Sequence, residues 1–74
     1  MSTTIDCSGY DYAMIATINA LSPSSVGLAA VDLKNNIVKI SSTAGYNPTI
    51  TVSNHVVSIV KATSTSYQGL CFRY

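Results

Sequence analysis

Apolar and polar residues alternate most regularly between Thr49 and Ala62, in Thr-Ile-Thr-Val-Ser-Asn-His-Val-Val-Ser-Ile-Val-Lys-Ala. A period of two marks a half-buried strand, and Asn54-His55 in the middle reads as a two-residue turn. Pairing across such a turn keeps the sum of partner positions constant. Ser53 should therefore face Val56, Val52 should face Val57, Thr51 should face Ser58 and Ile50 should face Ile59. That register puts Ile50, Val52, Val57 and Ile59 on one face and leaves a largely hydroxylic face opposite.

The rest of the chain varies this pattern. A short edge strand is expected at Thr4–Cys7, closed by Ser8-Gly9. From Tyr10 to Asn19 both alternating sets are apolar or nearly so, with Tyr12, Met14, Ala16 and Ile18 on one side and Ala13, Ile15 and Thr17 on the other. Such a strand is covered on both sides, or its second face meets another subunit. Ala-Met-Ile-Ala also suits a helix, but the aromatic and β-branched content favours a strand. Leu21–Ser25, with Pro23 inside it, reads as a loop. Leu28–Lys34 and Ile37–Ser42 flank Asn35-Asn36, and asparagine tolerates the positive φ of a type I′ turn. A two-residue turn there sets Leu33 against Val38, Val31 against Ile40 and, on the other face, Asp32 against Lys39. Ser41–Pro48 reads as a loop and Thr63–Ser66 as a polar spacer. Tyr67–Tyr74 reads as a final strand with Leu70, Phe72 and Tyr74 on one face and Cys71 and Arg73 on the other.

The expected fold is all-β, a small antiparallel sandwich or barrel of about 6–7 short strands arranged as a meander of hairpins. One small β domain covers residues 1–74. In a chain this short, burial and ordering entropy nearly cancel, and small folds commonly add a metal, a disulfide or a partner surface. Oligomerisation is the expected addition, because metal ligands are scarce.

Composition sharpens this picture in one respect. Charged residues are 9% of the chain, against about 25% in an average globular protein, while apolar residues make up an ordinary 47%. Eleven Ser, eight Thr and five Asn supply the missing polarity, a surface of the kind found on extracellular and virion β proteins. The net charge of +1 comes from Lys34, Lys39, Lys61 and Arg73 against Asp6, Asp11 and Asp32. Four scattered cations do not form the clustered basic stripe that displaces phosphate counterions, so no nucleic-acid partner is expected. No apolar run is long enough to suggest membrane insertion.

Cys7 and Cys71 admit two readings. A bridge would close a loop of ~64 residues and contribute about 4 kcal/mol in the chain-entropy model. Separate buried thiols are the reading favoured by their apolar contexts, Ile5-Asp6-Cys7 and Leu70-Cys71-Phe72. The opening Met-Ser-Thr-Thr-Ile-Asp lacks the basic stretch and apolar core of a secretory leader, which points to synthesis under reducing conditions.

Catalytic chemistry is sparse. His55, the only histidine, falls at a predicted turn tip, where a solvated turn residue is a better reading than a general base. No Gly-x-Ser-x-Gly elbow and no phosphate-cradling loop occur. Asp6 and Asp11 are close in sequence but would need a pocket to act as an acid/base pair. Cys7, Cys71 and His55 lack the short spacings of metal ligands. No catalytic residue, metal or cofactor is therefore expected. Binding is a better candidate, because five tyrosines combine apolar area with a hydrogen-bonding tip. Those rings either cap the core and fill an interface between copies, or stack on carbohydrate. The loop tips Tyr46, Asn47, Asn54 and His55 are the candidate ligand contacts.

The run Thr-Ile-Thr-Val-Ser-Asn-His-Val-Val-Ser-Ile, the Tyr46-Asn47-Pro48 loop before it and the aromatic strand after it resemble small β-rich knob domains of bacteriophage fibre and tail proteins. The resemblance covers about two thirds of the chain, from Leu28 onward. It implies a homotrimeric virion component, made in the host cytoplasm without a signal peptide, that binds a host-surface glycan or protein or strengthens the particle beside other virion proteins. Such knobs usually follow a long shaft, which this chain lacks, so a trimmed piece of a longer fibre, a separately translated piece or a small capsid-decorating protein also fits. Two alternatives come from other classes: a lectin-like carbohydrate-binding module, and a small disulfide-linked secreted toxin or inhibitor.

Overall fold

The computed structural model describes residues 2–20, 24–60 and 65–73. The chain is all-β, with seven strands among the described residues: β1 Ser2–Asp6, β2 Tyr12–Asn19, β3 Ser25–Asp32, β4 Ile37–Ser42, β5 Ile50–Ser53, β6 Val56–Val60 and β7 Thr65–Phe72. They form two antiparallel sheets, one of three strands in the order β1-β6-β5 and one of four in the order β4-β3-β2-β7. Packed together, the sheets make a small sandwich. Hairpins account for β2-β3-β4 and β5-β6, while β1 and β7 join the edges of β6 and β2 from opposite ends of the chain.

The β5–β6 hairpin has the expected register, Ile50 with Ile59, Thr51 with Ser58, Val52 with Val57 and Ser53 with Val56. Asn54 and His55 have φ of 51° and 63°, the doubly left-handed turn whose twist matches that of the strands it joins. The β3–β4 hairpin differs from expectation by two residues. Val31 pairs with Val38, Ala30 with Lys39 and Asp32 with Ile37, so Asp32 and Lys39 are not opposite one another. The turn spans Leu33–Asn36, and of its two asparagines only Asn36 has positive φ. Asp32 explains the wider turn: its carboxylate accepts hydrogen bonds from the backbone N–H of Lys34 (3.0 Å) and Asn35 (3.2 Å) and from the Asn35 amide (2.9 Å). Leu33 leaves the ladder to enter the core at 1% exposure, and its N–H donates to the Asp11 carbonyl at 3.1 Å.

Three strands begin earlier than their composition suggests, and the first of them, β1, runs over Ser2–Asp6 where Thr4–Cys7 was expected. Because Ser25–Gly27 pair with Thr17–Asn19, β3 starts at Ser25 and not at Leu28. Likewise β7 starts at Thr65, which pairs with Asn19. The expected loop at Leu21–Pro23, the spacer residues Thr63 and Ser64 and the aromatic Tyr74 lie outside the described residues.

Ile15, Val31, Leu33, Val57 and Ile59 are the large side chains of the core, with Ala13, Ala29, Ile50 and Cys7 completing it. Along one edge β1 lies over β7. There Ile5 occupies the space that a side chain at Gly69 would need, and the Thr3 and Tyr67 hydroxyls meet at 3.4 Å. Cys7 and Cys71 are joined by a disulfide at this edge, where packing brings their Cα atoms to 5.8 Å. The two separate thiols favoured by local context are thus replaced by a bridge between the sheets. Neither context reveals it, because the contact arises only when β1 is laid over β7.

Three outcomes follow from this frame. Replacing both cysteines by alanine should cost about 4 kcal/mol of stability, given the 64-residue separation, and guanidinium unfolding of the double variant would measure it. Val57→Asp, which buries a charge at a fully enclosed site, should abolish folding as read by circular dichroism. His55→Asn should change stability by less than about 0.5 kcal/mol, since asparagine accepts the same left-handed backbone.

Candidate functional site

The loop tips expected to bind a ligand are placed at opposite ends of the sandwich. Tyr46 sits in the β4–β5 loop, where its N–H donates to the Thr43 carbonyl at 2.9 Å and its carbonyl accepts from the Ser42 hydroxyl at 2.6 Å. Its own hydroxyl donates at 2.9 Å to Thr17 Oγ1, a side chain only 4% exposed. Gly27 makes room for this arrangement, because a Cβ there would lie 3.2 Å from Pro48 Cγ and 3.3 Å from Tyr46 Cε2. The ring is half-buried and closes one end of the core, while Asn47 beside it is exposed. Asn54 and His55 form the turn at the other end of β5, and the His55 carbonyl accepts from Cys7 N–H at 2.8 Å. Thr17, under Tyr46, and Ala13, paired with Cys71, are four residues apart on β2, a span of about 13 Å. These four residues therefore do not converge on one site.

Among the described residues, no three His, Cys, Asp or Glu side chains cluster as metal ligands would. Two carboxylates, Asp6 and Asp32, serve turns, while Asp11 Oδ1 lies 4.0 Å from Lys34 Nζ. Asp32 is held below the ordinary carboxylate pKa first by the Asn35 amide and then by backbone N–H groups, with partial burial working the other way. The Ser8 hydroxyl and N–H hold Asp6 down in the same manner.

A more distinctive feature is the difference between the two outer faces. The pairing places Ser2, Thr4 and Asp6 of β1, Thr51 and Ser53 of β5, and Val56, Ser58 and Val60 of β6 on the outer face of the three-stranded sheet. Hydroxyl groups dominate it. On the outer face of the four-stranded sheet, β2 presents Tyr12, Met14, Ala16 and Ile18, β3 presents Val26, Leu28 and Ala30, and β7 presents Leu70 and Phe72. Tyr12 and Phe72 stack there with ring centroids 4.9 Å apart. Exposure of the large aliphatic side chains on this face runs from 39% for Ile18 to 58% for Leu70. Polar side chains keep to its margins: Lys39 and Ser41 on β4, Ser66 and Gln68 on β7, and Asp32 at the end of β3.

Strand alternation and the pairing partners of β2 together create this face. Ala13, Ile15 and Thr17 turn inward, so the equally apolar Met14, Ala16 and Ile18 must turn outward. The two-sided character of β2 is legible in the sequence, whereas the contribution of β3 is legible only in part. Its signal, Val26-x-Leu28-x-Ala30, runs across the expected strand start at Leu28, so Val26 is missed.

No protein-family model matches the chain, and no curated protein or solved structure matches it.

The depressed carboxyl groups have a consequence for acid stability. A group whose pKa is lower in the folded chain stabilises it above the unfolded value and loses that contribution as pH falls through the folded one. Stability to urea should therefore decline as pH is taken from about 5 toward 3. A variant with both Asp6→Asn and Asp32→Asn should show a flatter decline in the same titration.

Proposed function

We propose that the chain is a structural or adhesive component of a virion, a fibre, tail or capsid-associated phage protein. It works as a homo-oligomer, contributes no catalytic residue and has the capacity to touch a host surface. The observation that carries this reading is the contrast between a hydroxyl-rich outer face and an apolar one on the same sandwich. A free monomer gains nothing from keeping Met14, Ile18, Val26, Leu28 and Leu70 in water, whereas an assembling subunit needs such a face. The charge-poor surface and the resemblance to fibre knobs give the virion setting, and a bridge between Cys7 and Cys71 suits a particle that meets an oxidising exterior.

A trimer is the proposed stoichiometry, and the width of the face supports it. Four strands ~4.8 Å apart make a face roughly 19 Å across, and three such faces closed into a triangle each lie about 5.5 Å from the common axis. That is about half the ~10 Å separation of packed sheets, a space that one layer of side chains from each copy would fill.

A second reading, a small secreted toxin or inhibitor, is favoured by the disulfide alone. Light scattering after size exclusion separates the two. The expected mass is three times the 7.8 kDa chain, and a well-folded monomer at micromolar concentration would favour the secreted module instead.

A further inference from the structure

We infer that the copies in such an oligomer meet through the outer face of the four-stranded sheet, where large side chains of one copy enter the depressions left by alanines on the next. This rests on the homo-oligomer reading above and adds the manner of contact. The face is uneven. Ala16, between Ile18 on its own strand and Leu28 on β3, borders a depression of about 360 Å³, and Ala30 borders another of about 250 Å³ beside Tyr12 and Ile37. Met14, Leu28 and Leu70 stand out between them. An arrangement of large and small apolar groups on one surface lets a second copy of that surface interlock with it.

The extent and the layout of the face agree with this occupant. At ~4.8 Å between strands and ~3.3 Å per residue, four strands of up to eight residues cover roughly 500 Å². Closed about a three-fold axis, each copy gives its face to both neighbours, so three copies bring together about 1,500 Å² in all, within the range of specific assemblies. Lys39, Ser41, Ser66 and Gln68 lie on the edge strands, so an apolar centre is bordered by polar groups, and Lys39 keeps access to water. A second copy also supplies a face of equal width and matching polarity, with no demand for opposite charge.

The test compares the wild-type chain with Ala16→Glu, by light scattering after size exclusion and by circular dichroism. Ala16 points outward, so the substitution leaves the core intact, but in the oligomer it would bury an unpaired carboxylate in each copy. Association should weaken by roughly 100-fold or more, giving a folded monomer where wild type is oligomeric. Thr51→Glu, on the hydroxyl-rich face, should keep the wild-type mass. An Ala16→Glu protein that stays oligomeric with native dichroism would overturn the inference, and with it the trimer closed through this face, and leave only oligomerisation itself standing. A monomeric wild type would overturn both. If it binds a hydrophobic dye and Ala16→Glu does not, the face belongs to another occupant. Should Ala16→Glu fail to fold, Leu28→Ser replaces it, and retention of the wild-type mass by that variant would count against the interface.

Discussion

Successive side chains on a strand must point to opposite faces, and in β2 both sets are apolar. Everything distinctive about this sandwich depends on that constraint. Once Ala13, Ile15 and Thr17 are committed to the core, Met14 and Ile18 have no route inside, and their neighbours Leu28, Val26 and Leu70 extend the same surface. The inner side of the sheet is lined in part by small residues, Ala13, Ala29, Gly27 and Gly69. Much of the sheet's apolar bulk thus stands outside. The close approach of Ile5 to Gly69 shows the inner side of this economy, with an aliphatic side chain from one sheet lying directly on the backbone of the other.

How far the chain could be read without its structure depended on what kind of interaction decided each feature. The β5–β6 hairpin was fully legible, because a two-residue turn at Asn54-His55 admits one register and the alternation agrees with it. The β3–β4 hairpin was legible only in its faces. A slip of two residues preserves which side chains point inward, so the apolar pattern fits both registers, and the Asp32 carboxylate decides between them by holding a four-residue turn. The apparent charge pair of Asp32 and Lys39 was a coincidence of spacing.

The features that stayed hidden are those made by sheet-on-sheet contact. The disulfide depends on β1 crossing β7, a relation that no local stretch encodes. Tyr46 has the composition of a displayed loop residue, yet it serves as a lid whose hydroxyl satisfies the buried Thr17. The outer face was half legible: β2 announces it, and Leu28, Ala30, Leu70 and Phe72 lie in segments that read as strands. Val26 joins it only after pairing extends β3 back to Ser25, and no local stretch says that these strands are neighbours of β2.

The bridge between Cys7 and Cys71 also determines how the molecule would bear mechanical load. Tension entering before residue 7 and leaving after residue 71 passes through one covalent link, and the segment between them carries none of it. β1 can be peeled from β6, but the remaining strand pairs stay unstretched until the link itself is broken. A sandwich held mostly by hydrogen bonds and a modest core would thus resist pulling at its ends well beyond the strength of its sheets.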